Sequence, residues 1–245
     1  SYDSADVWAQ PALFKLDENL NMSVVAGVPP DYFSETGQRW GNPHYRWDVM
    51  QTHGFQWWLD RMRSQNAMFD MVRIDHFRGL EAAWEIPAHE PTAIHGTWVK
   101  APGKALLQAI ANQLPTVTLV AEDLGIITPE VDTLRAAFNL PGMKILQFAF
   151  DGSPDNPYLP AAIPENSVVY TGTHDNDTTL GWFSSLKNEQ KQPFYRYMQS
   201  DWELNPDQIE MPNALIDLAL SSKSCLAIIP MQDILHLGGD CRMNL

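Results

Sequence analysis

An α/β fold, with parallel strands alternating with helices in a sheet or a barrel, is what this 245-residue sequence predicts. Three observations carry that prediction. Short apolar runs, Met71-Val72-Arg73-Ile74, Thr118-Leu119-Val120-Ala121 and Val168-Val169-Tyr170-Thr171, read as buried parallel strands. The stretches between the runs read as helices. An acidic residue follows each run: Asp75, Glu122 and, a few residues on, Asp175 beside His174. In such folds the loops at the carboxyl ends of the strands carry the chemistry.

Taken in chain order, residues 1–47 are rich in Pro, Gly, Asn and aromatics and show no clear period, so a long ordered loop is expected. Pro29 and Pro30, in the stretch 27–34, exclude an ordinary helix or a central strand there. Over residues 49–69, Phe55, Trp58, Leu59, Met62 and Met68 recur as on one amphipathic helix. A strand over 72–74 follows, and residues 79–102 return to loop composition, with Trp84, Pro87, Pro91, Trp98 and Pro102. Residues 104–114 read as a helix leading into a strand over 118–121. Thr128-Pro129-Glu130 is a helix start, a side-chain cap followed by proline in the first turn, and Pro141-Gly142 ends that helix after Asn139. Further strands are read over 144–148, 168–171 and 227–230. Asn205-Pro206 opens a helical segment with a break at Pro212, after which Leu215, Leu218 and Ala219 continue an apolar stripe.

No repeat, low-complexity tract or linker interrupts the chain, so one domain over 1–245 is expected, with 1–47 and 79–102 as active-site loop insertions. Five strands are read where a (β/α)8 barrel has eight. The predicted fold class is therefore an α/β barrel of the TIM type, incomplete for want of its N-terminal strands.

Composition narrows the function classes. With 44% hydrophobic and 19% charged residues the chain is globular rather than disordered. Its 16 basic and 30 acidic residues give a net charge of −14, which repels phosphate backbones and anionic lipid. Nucleic acid and membrane partners are thereby excluded, whereas a neutral polymer such as a glucan meets no such repulsion. Cys225 and Cys241 form neither a CxxC pair nor a disulfide framework, so reduced thiols and a cytoplasmic location are expected. No apolar stretch is long enough to span a bilayer, and no signal peptide is read at the start, where Ser1-Tyr2-Asp3-Ser4 resembles the middle of a loop. The seven histidines show no metal-ligand spacing, and Asp175 and Asp177 lack the spacing of a calcium loop. There is no P-loop, no GxGxxG and no GxSxG, so neither metal nor cofactor is expected.

Carboxyl groups delivered to one rim from three strands suit glycosidic bond chemistry. Arg73 precedes Asp75 by two positions, which puts both side chains on one strand face. A guanidinium there favours an ionised, oriented carboxylate, as a nucleophile requires. Glu122 stands beside Asp123, and two neighbouring carboxylates together with the charge of the nucleophile Asp75 would raise the pKa of one of them, as a general acid requires. Asp175 is flanked by His174 and Asn176, all able to hydrogen-bond sugar hydroxyls. The plainer reading of any one such acid is a helix cap or a salt-bridge partner.

The local strings go further. Val72-Arg73-Ile74-Asp75-His76-Phe77-Arg78-Gly79, Ala121-Glu122-Asp123-Leu124-Gly125 and the stretch from Tyr170 through Gly172, His174, Asp175, Asn176 and Asp177 to Thr179 resemble the amylomaltases, the 4-α-glucanotransferases of glycoside hydrolase family 77. So do the segment from Asp3 to Trp8, Gly27-Val28-Pro29-Pro30-Asp31-Tyr32-Phe33-Ser34, Gly37-Gln38-Arg39-Trp40, Trp84-Glu85-Ile86-Pro87, residues 144–150 and Arg242-Met243-Asn244. The resemblance spans nearly the whole chain in the family's order. It implies Asp75 as nucleophile, Glu122 as general acid/base and Asp175 as transition-state stabiliser. It further implies that Arg73 and His174 position the nucleophile and grip the sugar, that Trp40 lies beside the reacting ring with Gln38 in the same substrate-binding string, and that Phe148 serves the acceptor side. Asp31, Tyr32 and Phe33 match a lid over the acceptor sites. For Trp40 and Phe148 the plainer reading is a core aromatic. The family's barrel begins before the position matching Ser1, and Gly239-Asp240-Cys241 stands where relatives commonly have Ser-Glu-Ala.

What the resemblance implies is a retaining, two-step transfer of α-1,4-glucan segments, with the Asp75 and Glu122 carboxyl groups about 5–5.5 Å apart. An α-amylase-type hydrolase with the same acids, and a glucan-binding fragment without catalysis, are the alternatives.

Overall fold

The computed structural model describes residues 1–31 and 34–244, in two compact units, Ser1–Leu140 and Pro141–Leu245. The first unit runs α1 (Ala5–Ala9), β1 (Val24–Val28), β2 (Gln38–Pro43), α2 (Trp47–Thr52), α3 (Gln56–Asn66), β3 (Val72–Ile74), β4 (Ala82–Pro87), β5 (Thr97–Lys100), α4 (Gly103–Gln113), β6 (Leu119–Ala121) and α5 (Pro129–Ala137). β3 and β6 form a parallel pair, Val72 opposite Leu119, Arg73 opposite Val120 and Ile74 opposite Ala121.

This pair is held by helices that bury one stripe each. α3 buries Trp58, Leu59 and Met62, and α4 buries Leu106, Leu107 and Ile110, the spacing of a single helical face. Every residue of β6 is buried, as expected for a parallel strand covered on both sides. Ile74, Leu119, Ala121, Val131 and Leu134 complete the same core. Each fully buried side chain of leucine size contributes roughly 1.5–3 kcal/mol. The single helix expected over 49–69 is two, because Gly54 (φ 61°) and Phe55 (φ 59°) are both left-handed and turn the chain between α2 and α3. Pro129 opens α5 as expected, but the Thr128 cap works through its carbonyl, which accepts from Val131 and Asp132, and not through its hydroxyl.

The stretches 1–47 and 79–102, expected as loops, contain an antiparallel sheet in the order β2-β1-β4-β5. β2 and β5 are exposed along most of their length, so they carry no apolar alternation, and the sheet's own core is only Val25, Ile86 and Ala93. The exclusion of a central strand at Gly27 is corrected too. β1 pairs with β2 on one side and β4 on the other, and it includes Gly27 and Val28. Pro29 and Pro30 lie just past its end, where no ladder donor is needed. Glycine is required at 27, since a Cβ would overlap the Gln38 carbonyl and the Ile86 side chain.

The second unit runs β7 (Gly142–Ile145), β8 (Ser167–Tyr170), α6 (Thr179–Ser185), α7 (Asn188–Trp202), α8 (Asn213–Ser221), β9 (Leu226–Ile228) and α9 (Met231–Ile234). β7, β8 and β9 form a parallel sheet in that order. The strand expected over 144–148 stops at Ile145, and Leu146–Phe148 is a 3-10 turn that buries Leu146 and Gln147. α8 begins after Pro212, where the break was expected. α6 and α7 were not legible. α7 is mostly polar and contains Pro193, and what secures it is the burial of Phe194 and Met198 against Phe150, Leu215 and Leu218. No helix of the described residues is long and apolar enough to cross a membrane.

Replacing Gly27 by alanine should destabilise the chain by about 1–3 kcal/mol through overpacking of β1 on β2. Urea unfolding measures this, and an unchanged midpoint would contradict the close approach of those strands.

Candidate active site

The parallel register sets the first half of the site. Ile74 and Ala121 face each other at the carboxyl ends of β3 and β6, so the next residue on each strand is an acid, Asp75 and Glu122. The pairing continues past the named strands: Glu122 N–H donates to Ile74 O at 3.0 Å, and Phe77 N–H donates to Glu122 O at 3.1 Å. Between these bonds the chain turns through His76 in the left-handed region (φ 46°). That turn aims the His76 N–H at the Glu122 side chain, whose Oε2 accepts it at 2.6 Å, while Oε1 accepts from Leu124 N–H at 2.9 Å.

Asp75 and Glu122 therefore occupy different surroundings. The Asp75 side chain is 78% exposed and is held by Arg73, whose NH2 group donates to Oδ1 at 2.8 Å. This is the same-face pairing expected from their spacing. Glu122 is half-buried, and burial raises its carboxyl above the usual range; the two backbone N–H bonds pull it back down, and the Asp75 charge pushes it up. Of the two sources expected for this shift, the Asp75 charge contributes and Asp123 is not among the causes. Asp123 is buried and lies 3.3 Å from the Arg135 guanidinium, so its charge is balanced on the side of α5. His76 is held below the ordinary histidine range, chiefly by burial, with Arg78 and His44 adding to the effect and the Asp75 charge opposing it.

Trp40, on β2, stands edge-on to the His76 ring at 4.8 Å and is 41% exposed, which rules out the core reading for it. Its indole N–H donates to Gln38 Oε1 at 3.1 Å, so the two substrate-binding candidates of that string are fixed to each other. Asp31 lies in the turn before β2, where its Oδ1 accepts from Ser34 N–H at 2.9 Å. Tyr32 and Phe33 lie outside the described residues.

In the second unit the loop after β8 carries His174, Asp175 and Asn176. The Asp175 carboxylate has His174 Nε2 at 3.4 Å and accepts from Asn244 Nδ2 at 3.0 Å, and its carbonyl lies 3.4 Å from Arg242 NH2. Asn176 turns its amide oxygen inward to accept from both the N–H and the hydroxyl of Thr173 at 2.9 Å, so it shapes the loop. Gln147 donates to the Asp177 carbonyl at 2.9 Å. The stem of the loop is tied by Asp233 of α9, which accepts from the Thr171 hydroxyl at 2.6 Å, the Thr179 N–H at 2.8 Å and the Thr179 hydroxyl at 2.7 Å. Phe148 is 39% exposed and edge-on to Tyr158, again not a core aromatic.

Sequence reasoning passed over the backbone of His76, the Asp233 tie, Gln147 and the polar role of Arg242 and Asn244. The only available signal for Asp233 was its position a few residues after an apolar run, the same signal that picked out the other acids. Among the described residues no cluster of three or more His, Cys, Asp or Glu is placed to hold a metal ion.

An exposed carboxylate gripped by arginine, across a strand pair from a half-buried carboxyl of raised pKa, is able to pair nucleophilic attack with proton donation. The profile of glycoside hydrolase family 77, described as 4-alpha-glucanotransferase, matches residues 1–245. A 4-alpha-glucanotransferase of Thermus thermophilus is 56% identical over 245 residues, 99% of this chain and 49% of the relative. The chloroplastic/amyloplastic 4-alpha-glucanotransferase of Solanum tuberosum is 47% identical over 244 residues, 100% of this chain and 42% of the relative. Among solved structures, the amylomaltase of Streptococcus agalactiae in complex with acarbose superposes with a TM-score of 0.93 at 39% identity, over 100% of this chain and 49% of that one. The chain thus spans about half the length of the curated relatives it matches. On this similarity over its whole length, the chain belongs to the 4-alpha-glucanotransferases of glycoside hydrolase family 77.

Proposed function

We propose that the protein carrying this chain is a 4-α-glucanotransferase that moves α-1,4-glucan segments between maltooligosaccharides or dextrins by retaining double displacement. The observation that carries the reading is the Arg73-held Asp75 carboxylate beside Glu122, whose carboxyl burial keeps above the usual range. Asp75 attacks the anomeric carbon, while Glu122 gives its proton to the departing glycosidic oxygen; the C–O bond breaks and a glycosyl ester of Asp75 forms. Glu122, now a base, takes the proton from a hydroxyl of a second glucan, whose oxygen displaces Asp75 and restores the α linkage. The His76 and Leu124 N–H groups hold the Glu122 carboxyl in place through both proton transfers and stabilise its ionised form between them.

Asp175 is assigned to the hydroxyls of the reacting sugar, binding them more strongly as the ring flattens. His174 and Asn176 extend that polar contact, and Arg73 positions the nucleophile. Trp40, with Gln38, offers a ring face beside the reacting sugar; Phe148 and the segment Asp31, Tyr32 and Phe33 serve the acceptor and exclude water. The two exposed aromatics support such a role, as does the acarbose bound to the Streptococcus agalactiae relative. The parallel pair β3–β6 and the parallel three-stranded sheet β7–β8–β9 support the reading of a (β/α)8 barrel. The net charge of −14 supports a neutral glucan partner over nucleic acid or membrane, and the free Cys225 and Cys241 support a cytoplasmic location.

Incubation with maltotriose tests the reaction: transfer yields glucose together with longer oligosaccharides, whereas shorter sugars alone would mean hydrolysis and overturn the proposal. In the active enzyme carrying this chain, Asp75→Asn should lower transfer by at least about 10³-fold, and substantial residual turnover would refute the nucleophile. Because Glu122 must be protonated to act as acid and its pKa is raised, transfer should persist at pH values where an ordinary glutamate is ionised and then fall as pH rises through the Glu122 pKa. Glu122→Gln should remove that basic limb and about 10²–10⁴ of the rate with maltotriose, while a glycosyl fluoride, whose leaving group needs no proton, should still form the glycosyl-enzyme. A pH profile unchanged by the substitution would reject Glu122 as the acid.

A further inference from the structure

We propose that Asp233 is a positioning residue for glucan transfer: by joining the end of β8 to the start of α6 it sets the loop that presents His174, Asp175 and Asn176. The proposal rests on the role given to Asp175 above. Asp233 is 1% exposed, and a carboxylate taken out of water is costly unless its oxygens are satisfied. Among the described residues it forms no ion pair with Lys, Arg or His. It is satisfied instead by three donors, the Thr171 hydroxyl, the Thr179 N–H and the Thr179 hydroxyl. Those donors are not scattered: Thr171 directly follows β8 and Thr179 opens α6, so they are the two feet of the loop 172–178. Thr171 and Thr179 are themselves fully buried, which makes this tie the fixed base from which the exposed His174 and Asp175 project.

The loop has other bonds, among them those from Arg242 and Asn244 to Asp175. Thr173 and Asn176 close its turn, Gln147 holds the Asp177 carbonyl, and the Thr178 hydroxyl caps α6 by accepting from Gly181 N–H. None of these spans both feet; Asp233 does. A shift of about 1 Å in a group that must meet the transition state is enough to lower rate by about 10²-fold.

Asp233→Asn keeps the side chain's shape but puts a donor where an acceptor stood. In the active enzyme carrying this chain it should lower kcat about 10- to 100-fold and leave KM within about threefold. In an Asp175→Asn background the same substitution should lower kcat by less than about threefold, because its effect acts through Asp175. A glycosyl fluoride donor keeps the slow variants measurable. An equal loss in both backgrounds would mean a general structural role and overturn the proposal, as would a kcat within about twofold of the parent. Should Asp233→Asn fail to fold, Thr171→Val, which removes one donor at constant shape, should lower kcat about three- to tenfold in the parent and not in the Asp175→Asn background; no change in the parent would overturn the proposal. If Asp175→Asn itself keeps the parental rate, the role of Asp175 is what falls, and the positioning role falls with it.

Discussion

The parallel register of β3 on β6 is the constraint on which the candidate site depends. With Ile74 opposite Ala121, the two acids that follow are neighbours across the strand pair, and the ladder bonds at Ile74 O and Phe77 N–H hold them there. A slip of one residue would turn every side chain on one strand to the opposite face and separate Arg73 and Asp75 from Glu122. The core formed by α3, α4 and the two strands resists that slip, because Ile74, Leu119 and Ala121 are all buried in it. Packing far from solvent thus decides the geometry of groups at its edge.

The same strand pair also makes two carboxylates unlike each other. Asp75 leaves β3 into solvent and meets a guanidinium, while Glu122 leaves β6 into a half-buried position and meets two backbone N–H groups. Desolvation is the largest influence on Glu122 and, together with the Asp75 charge, leaves its carboxyl above the ordinary range against the pull of those hydrogen bonds. Division of labour between two carboxyls follows from surroundings rather than from residue type. In the second unit the loop after β8 is held by other means. There, side chains bond both to backbone groups and to one another: Asn176 with Thr173, Gln147 with the Asp177 carbonyl, and Asp233 with the two buried threonines.

How much of this was legible depends on where the physical cause lies. Strands β6 and β8 announce themselves because parallel strands buried along nearly their whole length read as apolar runs, β3, β7 and β9 are legible as shorter or interrupted apolar runs, and the acids stand out as charges placed just after such runs. The antiparallel sheet of β1, β2, β4 and β5 escaped notice because two of its strands are largely exposed and its core is three residues. α7 escaped because its sequence is polar and carries Pro193, and only the burial of Phe194 and Met198 explains it. Adjacency suggests that Asp123 adds to the Asp75 charge in raising the Glu122 pKa, whereas the structure places Asp123 beside Arg135.

The sequence by itself determined the strand-end acids Asp75, Glu122 and Asp175, the Arg73 pairing at a spacing of two, the acidic surface and the family resemblance, since each is a matter of residue type and local period. Only the tertiary structure decided that His76 turns left-handed to hold Glu122, that Trp40 and Phe148 are exposed rather than core, and that Asp233 ties both feet of the Asp175 loop. These depend on contacts between residues distant in the chain, and no local pattern of side chains records which distant donor a buried carboxylate will meet.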